Sequence, residues 1–172
     1  MELKLITEED FNYYYSLLEQ DFCFAERRSK EDELKSLYNE RFKPCFILEN
    51  NKIVGYFCYW IFDNFIFGEH FAILKEIRDK GIGTKFLAEH LKSINKPFIF
   101  EIENPIDETS IRRERFYKQF KLYFNDFKYF QPPYHADSKP IEMIVVSYPN
   151  KLTEIEFKKM KEIIYKYVYK LN

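Results

Sequence analysis

Apolar and polar positions along this chain switch repeatedly between two periods, and the switches mark its elements. Glu2 to Ile6 alternates as a strand does, and Thr7-Glu8-Glu9-Asp10 places an acid three residues after a candidate cap, opening a helix. Phe11, Tyr14, Tyr15 and Leu18 keep helical spacing. After a charged stretch from Arg27 to Asp32, Leu34, Leu37 and Tyr38 keep it again. Pro44 to Leu48 and Ile53 to Phe62 read as a hairpin around the polar turn Glu49-Asn50-Asn51-Lys52, with Gly55 marking a bulge. Ile66 to Ile77 is a fourth strand, rich in Phe and Ile. Ile82, Phe86, Leu87, Leu91 and Ile94 then recur at helical spacing. Next come a strand from Phe98 to Glu103, a helix from about Glu108 to Phe120, and strands over Phe124 to Phe130 and Ile141 to Ser147. Thr153-Glu154-Ile155-Glu156 resembles a capping box, and the helix it opens carries Phe157, Met160, Ile164, Val168 and Leu171 on one stripe.

Composition narrows what such a chain does. Its 172 residues suit one domain over 1–172, with about 150–172 as an appended C-terminal helix packing on the body or making a homodimer contact. A net charge of −1, without a basic run, gives sequence-independent nucleic-acid binding no electrostatic footprint. The start MELKLITEED has no basic segment followed by an apolar one, and no run approaches a membrane span, so a cytoplasmic protein with no membrane partner is expected. Cys23, Cys45 and Cys58 lack C-x-x-C spacing and lie in apolar contexts, as buried reduced thiols do. His70, His90 and His135 are scattered without ligand spacing, so no metal is expected.

The candidate chemistry begins at Arg78-Asp79-Lys80-Gly81-Ile82-Gly83-Thr84, which holds two of four glycines where a strand pattern becomes a helix pattern. Glycines there let backbone approach a ligand, and the first amides of a helix favour a phosphate. Neither G-x-x-x-x-G-K-[ST] nor G-x-G-x-x-G is present. R-x-x-G-x-G after a strand instead resembles the acetyl-CoA signature of the GNAT superfamily of N-acetyltransferases. Glu69 to Arg78 is similar to that family's fourth strand. Arg112-Arg113-Glu114-Arg115-Phe116-Tyr117-Lys118-Gln119-Phe120-Lys121-Leu122 is similar to its fourth helix, although Lys121 stands at a usual glycine and Ser110 where an asparagine often contacts CoA. Tyr129-Phe130-Gln131-Pro132-Pro133-Tyr134 looks like a Q-P-P-Y element of one branch.

The order of elements matches the family to about Pro149, and the resemblance implies an α/β single-domain fold: a mixed, mostly antiparallel sheet of about seven strands flanked by helices. It also implies transfer of acetyl from acetyl-CoA to an amine, with Phe71, Ala72, Ile73, Arg78 to Thr84, Ser110 and Tyr117 contacting the cofactor. Such a transfer needs a base for the amine proton and an acid for the departing sulfur, each typically worth about 10²- to 10⁴-fold. Tyr117 is the expected acid. Glu69 is the first base candidate, sharing a face with Phe71 and Ile73 if the strand is regular, and Glu101 is the second. Glu103, Gln131 and Tyr134 are expected on the acceptor side. A small-molecule amine is the expected acceptor; a peptide acceptor, or a CoA-binding module without catalysis, is the alternative.

Overall fold

The computed structural model describes Met1 to Leu171. An eight-stranded sheet is made of β1 (Glu2–Leu5), β2 (Phe42–Glu49), β3 (Lys52–Ile61), β4 (Ile66–Ile73), β5 (Phe98–Glu103), β6 (Tyr123–Asn125), β7 (Phe130–Gln131) and β8 (Ile141–Tyr148). The helices are α1 (Phe11–Asp21), α2 (Lys30–Ser36), α3 (Ile82–Ser93), α4 (Glu108–Tyr117) and α5 (Glu154–Tyr167). Strands run in the order β1-β2-β3-β4-β5-β8-β6, with β7 pairing β8. Every pairing is antiparallel except β4 with β5.

Each sheet face carries its own core. One packs Phe11, Tyr14 and Leu18 of α1 and Met160, Ile164 and Val168 near α5 against Phe46, Trp60, Phe67 and Ile99. The other packs Phe86, Leu87 and Leu91 of α3 and Tyr117 of α4 against Phe57, Phe98, Phe100 and Val146. Large aromatic rings fill both, which is where the high Phe and Tyr content goes. The C-terminal helix lies on the body, capped as its sequence implied: Thr153 Oγ1 accepts the Glu156 amide while the Glu156 carboxylate accepts the Thr153 amide. Leu171, expected on its buried stripe, is 44% exposed.

Several boundaries differ from the sequence pattern for local reasons. Helix α1 starts at Phe11, because Glu8 to Asp10 form a turn in which the Asp10 carboxylate accepts the Thr7 amide. Strand β4 stops at Ile73, since Lys75–Ile77 coils into a 3-10 turn before the glycine loop. Helix α4 stops at Tyr117, and the strand expected from Phe124 to Phe130 is two short ones, β6 and β7. Asn50 and Asn51 both adopt positive φ (51° and 60°), the left-handed pair that a tight two-residue hairpin turn needs. Cys23 is exposed, whereas Cys45 and Cys58 are buried as expected.

Candidate active site

Strands β4 and β5 pair through only Ile66 with Phe98, Phe67 with Ile99 and Gly68 with Phe100. Beyond Gly68 they part, and a cleft of about 370 Å³ including its mouth opens between them. Gly68, Glu69 and Phe71 of β4, Phe100 and Glu101 of β5, and Tyr117 of α4 line it. Gly68 sits where a Cβ would come within 2.8 Å of the Phe98 ring, so a side chain there would push the strands apart too early.

A bulge decides where the β4 carboxylate points. Cys58 pairs with His70 and Tyr59 with Gly68, leaving Glu69 as the extra residue. Alternation therefore breaks at this position. Glu69 does not share a face with Phe71 and Ile73; it turns towards the α1 and α5 side, where Trp60 and Arg28 lie, while Phe71 and Ile73 pack on the α3 side. There its carboxylate accepts two bonds from Arg28 (2.5 and 3.2 Å), one from Trp60 Nε1 (2.8 Å) and one from the Tyr134 hydroxyl (2.6 Å). Burial pushes this carboxyl up, but Arg28 and the Tyr134 hydroxyl outweigh it, and the group is held below the ordinary carboxylate value. The expected first base is thus a fully engaged ion-pair partner.

Arg28 is the residue whose role the sequence concealed. It belongs to the charged stretch from Arg27 to Asp32, yet it is 3% exposed and bridges Glu69 to the buried Glu33 (2.9 Å), with Nη2 also donating to the Val168 carbonyl. Tyr14 completes the network by donating to Glu33 (2.6 Å). The Arg28 guanidinium lies 5.1 to 5.5 Å from the ring centroids of Phe42, Trp60 and Tyr134. The spacing of Arg28 and Glu33 beside an apolar helix was the one local hint.

Glu101 is held differently. Its carboxyl accepts the Tyr129 hydroxyl on one oxygen and the Tyr169 hydroxyl on the other (2.8 Å). Burial raises it to about 7 against the pull of those hydroxyls, with the Glu69 charge adding to the rise. Glu103, two residues on, is paired with Arg113 and faces Glu26; burial and that second carboxylate raise it to about 7. Arg113 thus ties α4 to β5, and Arg112, one residue before it, pairs with Asp79 at the surface of the glycine loop. The Tyr117 hydroxyl has no hydrogen-bond partner among the described residues, and burial pushes it up to about 12. His70 contacts the Glu26 carbonyl through Nε2 (3.0 Å) and leaves Nδ1 buried without a partner among the described residues.

The glycine loop leads from β4 into α3. Gly81 takes φ +75° with open space around its Cα, and Asp79 is left-handed too (φ 64°). The first intrahelical bond runs from Lys85 to Gly81, so the amides of Ile82, Gly83 and Thr84 have no partner within the helix. At Gly83 a Cβ would come within 3.3 Å of Ile73, bringing helix and strand close. Arg78 folds back: Nε donates to the Ile73 carbonyl (2.7 Å) and Nη2 to Asp21 (2.6 Å). Lys80 is exposed at the loop tip. The Ser110 hydroxyl accepts the Ile106 and Asp107 amides that lead into α4, and the residue is buried. Tyr134 is committed to Glu69, while Gln131 is buried in β7. Tyr169, Tyr129 and Glu26 were not anticipated, and only the aromatic context of the first two hinted at them.

Splayed strands, a capless helix N-terminus and a tyrosine at the end of the next helix together define an acyl-transfer fold. The chain belongs to the acetyltransferase (GNAT) family, whose model matches residues 11–120. YjbC of Bacillus subtilis, provisionally named an acetyltransferase, is 33% identical over 109 residues, which are 62% of this chain and 54% of YjbC. The chain thus spans about half the length of that curated relative. A Bacteroides thetaiotaomicron structure, provisionally named a GNAT-family acetyltransferase, superposes with a TM-score of 0.93 at 26% identity over 100% of both chains. Arabidopsis thaliana Naa50, solved with the bisubstrate analogue CoA-Ac-MVNAL, shares the fold at a TM-score of 0.59 and 18% identity, over 87% of this chain and 98% of that one. Among the described residues no helix is long and apolar enough to cross a membrane.

Proposed function

We propose that this chain is an acetyl-CoA-dependent N-acetyltransferase acting on a small-molecule primary amine. The observation that carries the reading is the cleft itself, where Glu101 and Tyr117 face the gap left by the parting of β4 from β5. The loop fits a pyrophosphate: the free amides of Ile82, Gly83 and Thr84 converge beside two residues of positive φ, with open space at Gly81. The edge of β4 from Phe71 to Ile73, unpaired on its β5 side, is where extended backbone contacts to a pantetheine arm belong. Acetyl-CoA, when bound, supplies the activated thioester.

Glu101 is the base of this reading and replaces Glu69, whose four donors leave it no free lone pair suited to a proton. Its carboxylate takes a proton from the acceptor nitrogen as that nitrogen attacks the acyl carbon. Tyr117 gives its proton to the sulfur as the carbon–sulfur bond breaks, and each is recharged from solvent. A small acceptor is favoured by the anchoring of the segment that carries Tyr134 to the cleft residue Glu69: the next residue, His135, stacks on Phe24 at 3.6 Å and contacts the carbonyls of Phe24 and Arg27, fastening that segment to the turn before α2. Thiol release from acetyl-CoA against a panel of small amines and peptides tests the reading. Release with small amines supports it; release with peptides alone, or none despite acetyl-CoA binding, sinks it.

A further inference from the structure

The C-terminal helix lies outside the stretch that matches the family model, yet its end reaches the chemistry. Val168 caps α5, Lys170 turns into the left-handed region (φ 56°), and the Leu171 amide bonds back to the Tyr165 carbonyl at 2.9 Å. The left-handed Lys170 and this return bond close the helix end, with the Tyr169 amide bonding the Ile164 carbonyl. Two contacts leave that turn for the cleft. The Val168 carbonyl accepts Arg28 Nη2, the cation that holds Glu69. The Tyr169 hydroxyl donates to Glu101 at 2.8 Å, while its ring packs between Tyr134 and Tyr165 and is 8% exposed.

We propose that the end of α5 is part of the catalytic apparatus: Tyr169, with Tyr129 opposite, is a positioning residue that orients the Glu101 carboxyl and favours its ionised form. Each hydroxyl takes one oxygen, so the carboxyl cannot rotate and its remaining lone pairs are left for the cleft. Hydrogen bonds donated to a carboxylate stabilise the charged form, which burial beside another carboxylate opposes. The groups facing Glu101 are Glu69 on β4, Tyr129 and Tyr134 on the segment around β7, and Lys161, Tyr165 and Tyr169 on or after α5. Among these only Tyr129 and Tyr169 donate to it. Helix α5 thereby acts on the proton-accepting group directly, in addition to burying apolar surface.

The inference rests on Glu101 as the base, and its test is readable without the acceptor. Carbon-13 carboxyl NMR of the full chain, labelled at glutamate, follows the Glu101 titration, assigned by the signal missing in Glu101→Gln. Tyr169→Phe keeps the ring and removes the donor, so the Glu101 midpoint rises by about one pH unit. Tyr165→Phe, whose hydroxyl bonds the Phe130 carbonyl, leaves the midpoint in place. An unmoved midpoint in Tyr169→Phe overturns the proposal; if that variant does not fold, Tyr129→Phe reads the same clamp from its other side and decides by the same criterion. Full amine turnover by Glu101→Gln would instead remove Glu101 as base, a failure separate from that of the clamp.

Discussion

Nη2 of Arg28 lies 2.5 Å from Oε1 of Glu69, and the two side chains are 4% and 2% exposed. A buried pair of this kind is costly to break from one side, because the surviving charge is stranded. Arg28→Met should therefore destabilise the fold by about 3–5 kcal/mol, read from urea unfolding. Replacing all three charges, Arg28→Met with Glu69→Gln and Glu33→Gln, should recover part of that loss. A triple variant no better than Arg28→Met would show that packing around Arg28, rather than charge, carries the effect.

Acid should weaken the same pair. The Glu69 carboxyl is held below its unfolded value, so its stabilisation is present above about pH 4.5 and is lost as pH falls through the lower folded value. Glu101 has the opposite sign. Raised to about 7, it favours the folded state while protonated, and that contribution disappears as pH climbs from about 4.5 through 7. Stability should peak in mildly acidic solution, and Glu101→Gln should flatten the decline between about pH 4.5 and 7. Thermal melts between about pH 3 and 9 measure both limbs; an unchanged decline over that window would assign it to another group.

Turnover should follow the same group with the reverse preference, since a base works only when deprotonated. For an accepted amine, kcat/KM should rise through about pH 7, and Glu101→Gln should abolish that limb and lower the rate about 10²- to 10⁴-fold. The rise would be untouched if Glu103, also raised to about 7, were the group observed.

Removing the Tyr117 hydroxyl should separate chemistry from binding. Tyr117→Phe retains the ring that packs 4.7 Å from Phe100 and loses the proton donor. Turnover should drop about 10²- to 10⁴-fold, with acetyl-CoA affinity by calorimetry nearly constant. Wild-type turnover would eliminate this tyrosine as the acid.

Gly81 tests the loop. Its φ of +75° costs an alanine roughly 1–2 kcal/mol although nothing lies within 4 Å of where the Cβ would stand. Gly81→Ala should thus weaken acetyl-CoA binding by turning the helix amides, without any clash to blame. Equal affinity would move the phosphate site elsewhere.

The sequence disclosed the fold well because its signals are local: the Asn50-Asn51 turn, the Thr153 box and the helical stripes of α1 and α3 each settle a few neighbouring residues. The turn from β4 through the glycines into α3 was legible for the same reason. Glu69 was not, because one bulged residue reverses the alternation on which its facing was judged. Arg28, Tyr129 and Tyr169 were hidden by distance along the chain; Arg28 meets Glu69 across 41 positions and Tyr169 meets Glu101 across 68. Ser110 stands where the resemblance implies a cofactor contact, and its hydroxyl accepts the Ile106 and Asp107 amides just before α4.

The three rungs joining β4 to β5 divide the chain in its own order. Residues 1–95 build β1 through α3, and residues 98–171 build everything beyond, so the cleft is a seam between an earlier and a later half. The glycine loop belongs to the first half; Glu101 and Tyr117 belong to the second. Neither half holds both the glycine loop and Glu101, so the cleft takes shape only where the later strands and helices pack against the earlier ones.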